Sequence, residues 1–108
     1  KALYLARWLE QNNPHHPDII LWGGGRETRK RAEHLCEHGV RITAYIDVDP
    51  RRIGQTIHGR PVLAEEQIPP LGESFIVSYV GSRGARDDIR ARLLARGLRE
   101  GIHFLMGA

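Results

Sequence analysis

The sequence contains a single cysteine, Cys36, and a single methionine. One cysteine excludes an internal disulfide and a zinc site built from several cysteines. No apolar run reaches the ~18 residues that a membrane span needs, and no signal-peptide pattern is present. We therefore expect a cytoplasmic protein without a membrane span.

The chain is also short, and its excess of positive charge is small. Its 108 residues suffice for one domain with one core. The formal net charge of +3 comes from basic residues that are spread along the chain, and no nucleic-acid-binding motif accompanies them. We expect no nucleic-acid partner.

The most informative stretch is an apolar run that ends in three glycines. Residues 19–22 read as a buried strand, Gly23, Gly24 and Gly25 follow, and a charged segment of helical character begins at Arg26. A strand, a tight glycine turn and a helix N-terminus together favour phosphate binding, because backbone N–H groups and the helix dipole face the anion. Gly23 and Gly25 match two positions of the dinucleotide motif G-x-G-x-x-G, whereas Thr28 replaces its third glycine. The alternative is a turn that only lets helix and strand pack closely.

A carboxylate follows at the distance that the same motif requires. The next apolar strand ends in Asp47, which lies 22 residues after Gly25, where the motif places a ribose-binding carboxylate. Asp47-Val48-Asp49 also has the spacing of a divalent-metal site, but no further carboxylate ligand is apparent nearby. We predict a ribose-binding role for Asp47 and no metal site.

The remaining pattern alternates strands with helices. We predict a leading helix and linker over 1–18, the tail of a preceding domain, and a Rossmann-like domain over 19–108. Its strands are expected at 19–22, 40–47, 55–62, 75–80 and 102–106, with helices at 26–38 and 85–96. Right-handed crossovers predict a three-layer α/β/α sandwich with a mostly parallel five-stranded sheet in the order 3-2-1-4-5.

A second glycine turn, 81–84, follows the fourth predicted strand. In the predicted order it faces the first turn across the topological switch point, where such folds bind ligands. The arginines near both helix starts are suited to phosphate or carboxylate. No nucleophile with a base is evident, so we predict a binding crevice without catalytic residues. Its candidate residues are Gly23, Gly24, Gly25, Arg26, Asp47, Gly81, Ser82, Arg83 and Arg86.

Several short motifs together resemble a known family. They are residues 22–26, 46–50, 53–54, 59–62 and 80–86. The pattern resembles the Rossmann-like domain behind the catalytic domain of a group of bacterial family 2 glycosyltransferases. It is more distantly similar to the N-terminal nucleotide-sugar-binding domain of PglD-type sugar acyltransferases. The resemblance implies a catalytic domain upstream in the same polypeptide as a partner, and a nucleotide or nucleotide-sugar as ligand.

Three interpretations remain open. The first is an accessory, non-catalytic domain of a glycosyltransferase that binds a nucleotide or nucleotide-sugar. The second is the cofactor-binding half of an NAD(P)-dependent oxidoreductase, for which Thr28 is a departure from the motif. The third is a structural or partner-docking module whose crevice is a relic.

Overall fold

Residues 1–107 are described by a computed structural model. They form three α-helices and a six-stranded sheet, of the α/β class. The helices are α1 (Ala2–Asn12), α2 (Arg26–Cys36) and α3 (Arg83–Ala95); the strands are β1 (Asp18–Trp22), β2 (Arg41–Ile46), β3 (Thr56–Ile57), β4 (Arg60–Leu63), β5 (Ile76–Ser78) and β6 (Phe104–Met106). A short 3-10 turn, Glu65–Gln67, precedes β5. None of the helices within residues 1–107 is long and apolar enough to cross a membrane.

The sheet confirms the predicted α/β class with mostly parallel strands, but its strand order differs from the prediction. The order is β3-β4-β2-β1-β5-β6. Strand β1 pairs in parallel with β2 and β5, β2 pairs in parallel with β4, and β5 pairs in parallel with β6. Only β3 runs antiparallel to its neighbour β4. The prediction of five strands in the order 3-2-1-4-5 was therefore wrong.

The sixth strand arises because the predicted strand 55–62 is a hairpin. His58 and Gly59 have φ values of +53° and +74°, as the two central residues of a two-residue hairpin turn require. The sequence pattern placed Gly59 inside a strand, whereas it reverses the chain between β3 and β4. His58 occupies the other left-handed position, which histidine tolerates better than most residues.

The core consists of two clusters that use alternate residues of the central strand. Ile19 and Leu21 belong to one cluster, together with buried residues of α1 and α2. Ile20 and Trp22 belong to the other, together with Ile89 and Leu93 of α3. Successive side chains of a strand point to opposite faces, so β1 is covered on both faces, as its unbroken apolar run indicated.

Helix α1 contributes directly to the first of these clusters. Leu5, Ala6 and Leu9 are buried there, and Leu9 is fully inaccessible. The Trp8 and Phe75 rings pack with their centroids 6.0 Å apart, and α1 also packs on α2. The predicted division of the chain after residue 18 stays a prediction, but α1 shares its core with the sheet.

A polar cluster links α2 to strands β2 and β4. Arg60 donates to the carboxylate of Glu33, to the Tyr45 hydroxyl at 2.8 Å and weakly to the Cys36 sulfur at 3.7 Å. Its guanidinium also lies over the Tyr45 ring. The hydrogen bond from Arg60 lowers the pKa of Glu33, whereas burial raises the pKa of the Cys36 thiol. Cys36 is therefore a packing residue of low reactivity.

Because Glu33 pairs with Arg60, we expect the free energy of unfolding to fall at acidic pH. The folded state lowers the pKa of Glu33 below its ordinary value of 4.5, so its contribution is fully present above that pH and is lost as the pH falls through the folded-state pKa. We expect the difference in free energy of unfolding between wild type and Glu33→Gln to shrink as the pH falls below the ordinary glutamate pKa of 4.5. Urea unfolding measures it, with Glu10→Gln, an exposed glutamate, as the control. A difference that does not change with pH would contradict the assignment.

Candidate functional site

A cavity of about 260 Å³ lies at the carboxyl ends of β1, β2 and β5. It is lined by all three glycines of the first turn and by Asp47, so the structure brings these four predicted site residues together. We call this cavity the crevice. Its position is where parallel α/β sheets bind ligands.

Two of the three glycines are required by close packing in the crevice wall. Gly23 has a φ of +141°, and a Cβ there would overlap the Thr28 methyl group. A Cβ on Gly24 would overlap Oδ2 of Asp47 and lie 2.9 Å from its Cγ. Gly25, by contrast, has open space where a Cβ would be. The turn thus brings the backbone against Thr28 on one side and against a buried carboxylate on the other.

The Asp47 carboxylate already accepts three hydrogen bonds from the protein. It is 7% exposed, and its Oδ1 accepts from the backbone N–H groups of Val48 at 2.7 Å and Asp49 at 3.1 Å. Its Oδ2 accepts from Nε of Arg52 at 2.5 Å. Sequence reasoning did not identify Arg52, which lines the crevice and holds the carboxylate that was predicted to bind a ribose. Its position five residues after Asp47 was the only signal.

Arg52 is itself held by a second carboxylate outside the crevice wall. Its Nη2 lies 3.4 Å from Oδ2 of Asp49. Asp49 also pairs with the exposed Arg51, whose side chain and backbone N–H lower the pKa of Asp49 to about 2. The loop after β2 is therefore a paired network of two aspartates and two arginines.

The N-terminus of α2 opens beside the crevice without a side-chain cap. Gly25 is the N-cap residue and makes no side-chain hydrogen bond there. Such a terminus leaves backbone N–H groups without intrahelical partners and carries the positive end of the helix dipole. Nη1 of Arg29 donates to the Gly24 carbonyl oxygen at 2.6 Å and fixes the turn from the helix side.

The opposite wall differs from the one that the sequence predicted. Val80, Ala85 and Ile89 line it, with Asp88 at its rim. Gly81, Ser82 and Arg83 are exposed and do not line the crevice, and Arg86 is half-buried, also outside the lining. The second wall is therefore largely apolar. Helix α3 contributes Ala85 and Ile89 to it.

Another arginine that the sequence did not single out, Arg31, links helix α2 to the second glycine turn. Its Nη2 donates to the Tyr79 carbonyl oxygen at 3.0 Å, and its guanidinium lies over the Tyr79 ring. A Cβ on Gly81 would lie 3.8 Å from Nη1 of the same guanidinium. Arg31 thus connects α2 to the β5–α3 loop, a link between residues 48 positions apart that periodicity cannot reveal.

Arg26 does not line the crevice. It lines a separate cavity of about 300 Å³ together with Arg29, Lys30, Glu33 and His58. We call this the basic cavity. The predicted ligand contacts of Arg26 and of Gly23–Gly25 therefore belong to two neighbouring cavities.

Within residues 1–107, no group of three or more histidine, cysteine, aspartate or glutamate side chains is arranged to hold a metal ion. Comparison with protein-family models, curated proteins and solved structures gives no match to this chain. The function is therefore argued from the crevice itself.

Proposed function

We propose that this chain is a Rossmann-like, three-layer α/β/α domain that binds a nucleotide or nucleotide-sugar in the crevice and performs no catalysis on its own. In this proposal it is the accessory domain of a glycosyltransferase and its partner is a catalytic domain upstream in the same polypeptide. The layered arrangement is supported by α1 and α2 on one core cluster and α3 on the other.

The single observation that carries the binding proposal is the joint position of the uncapped α2 terminus and the glycine turn. Gly23, Gly24 and Gly25 line one cavity with Asp47, and no side chain occupies the α2 N-cap. A phosphate at that point would receive backbone N–H hydrogen bonds and the helix dipole. The apolar surface of Val80, Ala85 and Ile89 is suited to a flat base or sugar ring on the opposite wall.

The NAD(P) alternative is less well supported by the same geometry. In the dinucleotide motif the third glycine lets helix and strand approach closely. Here Thr28 stands in its place, and its methyl group packs where a Cβ on Gly23 would lie. Arg52 also donates a hydrogen bond to the Asp47 carboxylate, the group that would accept from the ribose hydroxyls of NAD(P).

A second candidate function is favoured by that Arg52 contact. A carboxylate with three donors has little capacity left for a ligand. In this second function, the glycine turn and Asp47 only stabilise the fold. The crevice is the remnant of a former binding site, and the domain docks to a partner protein.

An amide chemical-shift titration separates the two functions. The probes are UDP-, GDP- and dTDP-sugars, NAD, NADP and coenzyme A, added separately to the wild-type chain. We expect saturable shifts at Gly23–Gly25, Asp47 and Val80 with one nucleotide-sugar class, because these residues line the crevice.

Two alanines of α3 provide a matched pair for this titration. Ala85 lines the crevice, whereas Ala91 is exposed further along the helix. Ala85→Phe should fill the crevice and abolish the saturable shifts, and Ala91→Phe should retain them. If no probe produced saturable shifts in the wild-type chain, nucleotide binding would be refuted and the docking function supported.

A further inference from the structure

The basic cavity carries a proposal that goes beyond the crevice. Arg26, Arg29 and Lys30 lie on one face of the first two turns of α2, since residues three and four apart are neighbours on a helix. The β3–β4 turn supplies His58 as a wall from a different element. Three cationic side chains and an imidazole thus face one concave volume of about 300 Å³.

In the part of the chain that the structure describes, these cationic side chains form no ion pairs with carboxylates. The ion pairs formed within residues 1–107 include neither Arg26 nor Lys30. Arg29 is half-buried and uses Nη1 for the Gly24 carbonyl oxygen, an acceptor that leaves its positive charge uncompensated. Its guanidinium is therefore held in place without being neutralised.

The one carboxylate that lines the basic cavity already has a partner. Glu33 accepts from Arg60, which is mostly buried and also bonded to the Tyr45 hydroxyl. Because the charge of Arg60 balances that of Glu33, the positive charges of Arg26, Arg29 and Lys30 are left without a counter-charge. The cavity retains a net positive charge.

His58 adds a hydrogen-bond donor that does not depend on its protonation. A neutral imidazole carries one N–H and the charged form carries two. Arginine, lysine and imidazole N–H groups are the donors that proteins use for phosphate oxygens.

We propose that the basic cavity is a binding site for a phosphate or diphosphate group, distinct from the crevice. Arg29 connects the two sites, because its contact with Gly24 places it between the basic cavity and a residue that lines the crevice. The group can come from two sources, the diphosphate of a nucleotide seated in the crevice or a separate phosphorylated ligand. This site does not depend on the proposed nucleotide function.

The test is a titration with inorganic pyrophosphate at constant ionic strength, followed through the His58 imidazole and the amides of Arg26–Lys30. We expect saturable shifts at these residues. The double variant Arg26→Gln/Lys30→Gln should bind at least about tenfold more weakly, because two charge-assisted contacts are removed. Both side chains are exposed, so the fold should persist.

Two control variants make the outcome decisive. Arg7→Gln/Arg99→Gln removes the same charge at exposed positions outside the cavity and should leave the affinity unchanged. Equal weakening in both double variants, or shifts that never saturate, would show charge screening and overturn the site. Ala85→Phe, which fills the crevice, should leave pyrophosphate binding intact; its loss would place the ion in the crevice and overturn the proposal.

A parallel titration with UDP identifies the source of the group. Shifts at both cavities in a one-to-one complex would assign the diphosphate of the nucleotide to the basic cavity. Shifts at the crevice alone, with pyrophosphate still saturating His58, would assign a separate phosphorylated ligand. Silence with every nucleotide but saturation with pyrophosphate would refute the proposed function and leave this site standing.

Discussion

A Gly24→Ala variant is expected to lose about 1 to 3 kcal/mol of unfolding free energy, the usual cost of forcing an extra group into a packed interior. The new Cβ would overlap Oδ2 of Asp47 and lie 2.9 Å from its Cγ. That carboxylate has no room to retreat, because it is buried and held by Val48, Asp49 and Arg52. Guanidinium-chloride unfolding, monitored by tryptophan fluorescence, measures the loss.

Gly25→Ala is the matched control for this variant. It introduces the same methyl group one residue later, where no atom lies within 4 Å and the backbone φ is −68°. Its cost should stay below about 1 kcal/mol, the scale of a change at a helix N-cap. If the two variants were equally stable, the close approach of Gly24 to Asp47 would not be a constraint on this fold.

An Asp47→Ala variant is expected to cost about 3 kcal/mol, from three hydrogen bonds of roughly 1 kcal/mol each. The backbone N–H groups of Val48 and Asp49 lose their acceptor, and Arg52 loses the partner of its Nε. Arg52 is about one third exposed, so water compensates it in part and the backbone groups carry most of the effect. Thermal and chemical denaturation both measure the change.

Asp49→Ala is the matched control for Asp47→Ala. It removes an exposed ion pair from the same loop, whereas Asp47→Ala removes a buried hydrogen-bond acceptor. Asp49 accepts from the backbone N–H and the side chain of Arg51, which is 87% exposed, and solvent-exposed ion pairs contribute little to stability. The ratio between the two variants therefore tests whether burial sets the cost. An Asp49→Ala loss as large as that of Asp47→Ala would mean that the loop, and not the carboxylate, is being destabilised.

Most of the regular structure was readable from local patterns. The apolar run 19–22 followed by glycines, and the β-branched run near residue 76, indicated buried parallel strands, and both lie in the middle of the sheet. The error at 55–62 has a local cause as well. A histidine-glycine pair that adopts positive φ makes a turn, but His58 is not one of the residues from which such turns are usually recognised.

The site was less predictable, because its main contacts join distant residues. The grouping of Gly23–Gly25 with Asp47 followed from the spacing of a known motif. Two contacts depend on the conformations that long arginine side chains adopt in the folded chain. They are the pairing of Arg52 with Asp47 and the hydrogen bond from Arg31 to Tyr79. Arg83 was expected in the crevice from its place beside a glycine turn, yet it is exposed and outside the lining.

The short hairpin at one border of the sheet also affects how the protein behaves when concentrated. An edge strand with free backbone groups is a template on which another chain can aggregate. Here β3 is only two residues long, and on the opposite border the Phe104 carbonyl oxygen is taken by the Gly101 N–H at 2.7 Å. Since β6 is only three residues long, both borders offer few backbone groups to a further strand, and short edge strands limit edge-to-edge aggregation of a sheet with an apolar centre.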